Sequence, residues 1–233
     1  IIGFASGPIE PGEQVHVHNL EFRAFEREYD FGVDARAHDP VPAAERASFA
    51  GYVRAGGRVG TRNYIGILTS VNCSATAARR IADTFGAPGA LGDYPGVDGV
   101  VALTHGTGCG MAGSGEGFEV LQRTLAGYAA HPNFGGFLLI GLGCEVNQVS
   151  SLTGGFELAP GVPMSAMTIQ ELGGTMATVR EGVARVREML PEVARAQRQQ
   201  VPASELILGL ECGGSDAWSG VTANPALGAA ADL

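Results

Sequence analysis

The chain has no lysine; all fifteen of its basic residues are arginine. That absence excludes Schiff-base chemistry, a P-loop lysine and a lysine general base for these residues. No Cys-x-x-Cys pair occurs among the four cysteines, so the local spacing of a zinc knuckle is missing too. No apolar run reaches the roughly 20 residues of a membrane span, and no signal-peptide pattern opens the chain. A cytoplasmic location is the expectation. A surplus of positive charge is also lacking: the net charge is −9 and the arginines are scattered, which argues against a nucleic-acid surface. What is present, at 233 residues and 45% hydrophobic, suffices to bury the core of one large or two smaller domains.

Neither end reads as a natural terminus. The first residue is Ile1, and the last ten, NPALGAAADL, form an apolar helix-like run with no cap after it, so a longer polypeptide is expected. Residues 1–20 read as a β unit in which QVHVHNL alternates and places His16 and His18 on one side of a strand. Residues 21–50 are polar, carry Pro40 and Pro42, and read as a connector. From residue 51 to 233 the pattern becomes apolar strand, glycine-rich loop and helix, repeated. Strands are expected at 64–71, 99–104, 136–142, 162–168 and 206–210. Between them Phe118, Leu121, Leu125 and Tyr128 share one helical face, as do Val179, Val183, Val186 and Leu190. This alternation predicts an α/β domain with a mostly parallel sheet covered by helices on both faces.

Cys73, Cys109, Cys144 and Cys212 each follow an expected strand, in ILTSVNCSAT, VALTHGTGCG, LLIGLGCE and LILGLECGGS. Ligands of an open parallel sheet bind beyond the carboxyl ends of its strands, so four thiols at four such ends can converge on one crevice. A free cysteine is ordinarily a small buried hydrophobe, but the shared placement points to a site. Thiolates from separated loops suit iron, as the ion or as an iron–sulfur cluster. The stretch Gly108-Cys109-Gly110-Met111-Ala112-Gly113 matches the dinucleotide fingerprint, yet no acidic residue follows at the ribose distance. Its glycines better serve to let backbone N–H groups approach an anion. His105 on the same loop is a candidate general acid or base, set against a structural role. Arg62 and Asn63, just before the first α/β strand, read as turn residues or as a carboxylate clamp.

The motifs GRVGTRNYIGILTSVNCSATAARRIA, VDGVVALTHGTGCGM, AGYAAHPNF, LLIGLGCEVNQ and LGLECGGSDAWSGVTANPALGAAADL resemble the altronate dehydratase/galactarate dehydratase family, which includes the large subunit of sulfolactate sulfo-lyase. The likeness runs from about residue 51 to the end. Upstream, GFASGPIEPGEQVHVHNL is similar to the tail of the small β-rich SAF domain of that family. Ala55-Gly56, where an acidic residue and glycine are common, and Ala217-Trp218 depart from the pattern. The resemblance implies a lyase that dehydrates a sugar acid to a 2-keto-3-deoxy acid with divalent iron. It maps family motifs onto Arg62, Asn63, Asn72, Cys73, His105, Cys109, Cys144, Glu145, Asn147, Gln148, Cys212 and Asp216, with His16 and His18 from the SAF part.

From these the expected catalytic residues are His105, Glu145 and His18. The expected substrate-binding residues are Arg62, Asn63, Asn72, Thr107 and Gln148. The expected metal ligands are Cys73, Cys109, Cys144, Cys212 and His16. Dehydration needs a base for the proton beside the carboxylate, an acid for the departing hydroxyl and a cation for the enediolate between them. The partner implied is a small sugar acid, with neither nucleic acid nor membrane, a homo-oligomer being the base-rate state. Two alternatives stand beside this reading: elimination of sulfite from a sulfonated hydroxy acid, and a non-catalytic fragment that binds metal or sugar acid.

Overall fold

The computed structural model describes residues 3–24, 36, 39, 41–211, 213 and 217–232. The chain divides into two compact units, residues 1–46 with 208–233, and residues 47–207. In the first unit β1 (Phe4–Ala5) pairs with β2 (Leu20–Glu21) as a short antiparallel ribbon. The expected strand through His16 and His18 does not form. Asn19 explains why: its side chain accepts the His16 N–H at 2.8 Å and donates to the Gln14 carbonyl at 3.0 Å, folding the segment into a turn.

The second unit runs β3 (Ser48–Val53), β4 (Val59–Gly60), β5 (Tyr64–Thr69), α1 (Ala75–Gly86), β6 (Gly99–Leu103), α2 (Glu116–Ala129), β7 (Phe134–Gly141), α3 (Val149–Gly154), β8 (Met164–Thr168), α4 (Thr175–Val193) and β9 (Gln199–Pro202). The C-terminal run expected to be helical is α5 (Ala223–Asp232), in the first unit. Four strands form an all-parallel sheet in the order β6-β5-β7-β8. A parallel sheet is covered on both sides, so its central strands need no polar alternation; β7, FGGFLLIG, is buried at every residue. Alternate side chains feed two cores. Ile65, Ile67, Leu138 and Ile140 meet Ile81 and Phe85 of α1 with Val186 and Leu190 of α4. Leu68, Phe137 and Leu139 meet Leu125 of α2 and Leu152 of α3 on the opposite face. Each such fully buried aliphatic side chain contributes roughly 1.5–3 kcal/mol. The periodic face through Val179, Val183, Val186 and Leu190 is the one α4 turns inward.

A second, antiparallel sheet has the order β4-β3-β9. It corrects two expectations. The connector assigned to 21–50 ends earlier, since β3 begins at Ser48, and no strand forms at 206–210. Residues 206–210 have no strand partner among the described residues, and Ile207 and Leu208 are 84% and 65% exposed. The strand of that region is β9, which ends four residues before 206 and bonds β3 through Phe49↔Val201. Gly60 of β4 lies against the next turn: a Cβ there would overlap the Pro132 carbonyl oxygen and stand 2.8 Å from its carbon. The obstacle is backbone, so Gly60→Ala is expected to cost about 1–3 kcal/mol. Urea unfolding should show a lower midpoint at constant m-value; an unchanged midpoint would mean that the Pro132 turn yields freely.

Candidate functional site

Three of the four cysteines lie on loops leaving the carboxyl ends of adjacent strands: Cys109 after β6, Cys73 after β5 and Cys144 after β7. Backbone bonds stitch these loops together. The Asn72 N–H donates to the Thr107 carbonyl at 2.9 Å, and the Val146 N–H to the Cys109 carbonyl at 3.1 Å. The Asn72 amide reaches the Gly106 carbonyl at 3.4 Å. All three thiols are exposed and unpaired by disulfides. Partial desolvation pushes the Cys73 thiol up, and the Cys109 thiol, which hydrogen-bonds it, and the Cys144 thiol push the same way. Gln170, just past β8, donates to the Cys144 sulfur at 3.2 Å.

Beneath the third loop lies Glu145, 2% exposed. Its Oε1 accepts from the Ser70 hydroxyl at 2.5 Å and from the Leu142 N–H at 3.0 Å, and its Oε2 from the Gly143 N–H at 2.6 Å. Burial pushes this carboxyl up, but the Ser70 hydroxyl and the three backbone N–H groups of Glu145, Gly143 and Leu142 outweigh it and hold the group below its ordinary 4.5. The loop closes this tightly because Gly143 adopts φ +122°, a region side chains disfavour, and because a Cβ on Gly141 would collide with the Glu145 carboxylate. Asn147, 1% exposed, ties the same loop to the Ser70 carbonyl at 3.2 Å. Gln148 occupies the residue before α3 and donates its side-chain amide to the Glu145 carbonyl.

His105 joins β5 to the β6 loop. Its Nε2 lies 3.0 Å from the Thr69 carbonyl, and its Nδ1 accepts the Thr107 N–H at 3.2 Å. A carbonyl only accepts and an amide only donates, so these partners assign the neutral ring with the proton on Nε2. Thr107 therefore takes part through its backbone, bonding His105 on one side and Asn72 on the other.

Arg62 and Asn63 are not brought to the cysteine loops. They precede β5, whereas Cys73 follows it, and six strand residues put about 20 Å between the two edges. Asn63 is fully buried; its amide donates to the Gly96 and Val193 carbonyls at 2.7 and 2.9 Å, and its oxygen accepts from Arg54 at 2.9 Å. Arg62 pairs with Asp98 at 3.4 Å. His16 and His18 belong to the other unit, with ring centroids 6.5 Å apart and His18 Nε2 3.7 Å from the Glu13 carboxylate. Cys212 and Asp216 lie outside the described residues. Among the described residues no three His, Cys, Asp or Glu side chains close into a metal cage, and no helix is long and apolar enough to cross a membrane. Ser70 and Gln170 were not anticipated from sequence. Gln170 follows β8 as the cysteines follow their strands, and the same strand-end rule applied to residue types other than cysteine would have found it.

Residues 51–194 match the family described as D-galactarate dehydratase/Altronate hydrolase, second domain, and residues 203–233 match D-galactarate/Altronate dehydratase, C-terminal. The chain is 33% identical over 231 residues to the altronate dehydratase of Bacillus subtilis (strain 168), covering 99% of this chain and 45% of that protein. It is 36% identical over 239 residues to the galactarate dehydratase (L-threo-forming) of Escherichia coli (strain K12), covering 100% and 46%. It is 30% identical over 185 residues to the (2R)-sulfolactate sulfo-lyase subunit beta of Chromohalobacter salexigens, covering 79% and 43%. The chain thus spans a little under half the length of these relatives.

Proposed function

Since the chain belongs to the D-galactarate dehydratase/altronate hydrolase family, we propose that it is part of a hydro-lyase that dehydrates a sugar acid such as altronate or galactarate to a 2-keto-3-deoxy acid. The observation that carries this reading is the set of three thiol loops, stitched edge to edge at the carboxyl ends of β6, β5 and β7. Elimination needs such a crevice, in which the proton beside the carboxylate leaves from one carbon and hydroxide from the next.

Iron is part of the proposal, and the donors fit it in kind. Cys109 and Cys144 are both near enough to raise the Cys73 thiol, and soft thiolates suit iron. Cys73, Cys109 and Cys144 would hold the metal. A bound iron would supply Lewis-acid polarisation of the departing oxygen. His105 presents a neutral ring at the edge of the crevice, and taking a proton on Nδ1 requires it to release the Thr107 amide. Glu145, with both oxygens engaged and its acidity raised, acts on the position of Cys144 better than on a weakly acidic C–H.

The reading is tested by anaerobic purification followed by iron and acid-labile sulfide analysis, then by assay of 2-keto acid release from a panel of hexonates and hexarates. Iron should be retained by the wild type and fall well below stoichiometric after Cys73→Ser, Cys109→Ser or Cys144→Ser. Retention through all three substitutions would make the thiols packing residues and remove the metal from this crevice. The sulfo-lyase relative favours one further assay, release of sulfite from sulfolactate. Sulfite release without 2-keto-3-deoxy acid formation would replace dehydration with that chemistry.

A further inference from the structure

We infer that Arg79 of α1, rather than Arg62, is the cation that receives the substrate carboxylate, an inference that rests on the sugar-acid reading above. Such an anchor must stand at the carboxyl edge of the sheet, carry a charge not already neutralised, and keep donors open. Arg54, Arg62, Arg185 and Arg198 of the 47–207 unit each fail the first requirement or the second. Arg54 bonds the Pro132 carbonyl at 2.8 Å and Asn63, while Arg62 and Arg198 share Asp98, all at the amino-terminal edge. Arg185 pairs with Glu181 at 2.7 Å along α4.

Arg79 differs on each count. One guanidinium nitrogen, Nη2, donates to the Thr104 hydroxyl at 2.8 Å. Thr104 is the first residue beyond β6 and adjoins His105, whose ring reaches the last residue of β5. This tether holds the guanidinium at the rim of the thiol loops. Arg79 is exposed and takes part in no ion pair among the described residues. Asp83, one turn further on along the same helix face, makes no ion pair with it, because the guanidinium is turned to Thr104 instead. With one of five N–H donors used, the remaining fork can grip a carboxylate in the bidentate geometry peculiar to arginine. The ligand class is therefore a hydroxy acid oriented with its carboxylate toward α1 and its hydroxyls toward the cysteines.

The test is calorimetric titration of galactarate into the wild type, Arg79→Gln, Arg79→Lys and Arg62→Gln, with galactitol, the neutral polyol of the same carbon chain, as control. Arg79→Gln should weaken galactarate at least about tenfold, with Arg79→Lys intermediate and Arg62→Gln within about twofold. Thermal midpoints and any galactitol binding should stay unchanged. Equal galactarate affinity in Arg79→Gln, or equal losses for galactarate and galactitol, overturns the anchor and leaves the dehydratase reading standing. A wild type that binds neither galactarate, altronate nor sulfolactate overturns both.

Discussion

Glu145→Ala is expected to cost about 3 kcal/mol or more of folding stability, because it leaves the buried Ser70 hydroxyl and the Leu142 and Gly143 amides without their acceptor. The loss should also reach the thiols. With its acceptor gone, the loop carrying Cys144 has no reason to keep Gly143 at φ +122°, and under the proposed iron reading metal should load more weakly than the fall in stability alone accounts for. Glu145→Gln separates charge from shape. The folded-state carboxyl lies below its ordinary 4.5, so its ionised form stabilises the fold above that pH, and the contribution is lost as pH falls through the lower folded-state value. The gap in stability between wild type and Glu145→Gln should therefore be full at neutral pH and shrink on acidification below about pH 4.5. Chemical denaturation at pH 7 and at successive acidic points reads this out. A gap that holds constant or widens toward acid would show that the carboxylate charge is not what stabilises the loop.

Asn63→Ala is the second large effect. The side chain joins three separate segments, through Gly96, Val193 and Arg54, at a position with no exposure. Removing it takes one donor from each of the Gly96 and Val193 carbonyls and one acceptor from Arg54, and leaves a hole at a fully buried position, at a cost of about 1–3 kcal/mol. Urea unfolding should give a correspondingly lower midpoint with an unchanged m-value. A substrate-binding role makes the opposite forecast: normal stability and weakened sugar-acid affinity. Equilibrium unfolding and ligand titration of the same variant decide between them.

The four strands of the parallel sheet and the inward face of α4 were legible because each is written twice, once in apolar residues and once in spacing. β7 is an unbroken apolar run, and Val186 and Leu190 repeat at the helical period. The thiol loops were legible for the same reason, since each strand end fixes where the next residues emerge. The antiparallel sheet was not. Of the four residues in β9, QQVP, only Val201 is buried, and the strand exists because β3 is there to pair with it. The segment at 206–210 has the stronger apolar pattern and no partner among the described residues, so pattern without a neighbour misled. His16 and His18 alternate as a strand would, but the polar side chain of Asn19 outbid that pattern locally. The separation of Arg62 and Asn63 from the cysteines was readable in principle: they stand before β5 and Cys73 after it, and a strand has two ends.

The strand order β6-β5-β7 carries a last consequence. The path out of β5 enters α1 on one face of the sheet, while the paths out of β6 and β7 enter α2 and α3 on the other. Neighbouring connections that depart in opposite directions must part company above β5, and the gap they leave is a switch point of the winding itself. The mouth of the crevice is therefore a property of the chain's route and not of any side chain that lines it. Substitution can change the side chains around the opening, while the opening persists as long as the sheet is wound in this order.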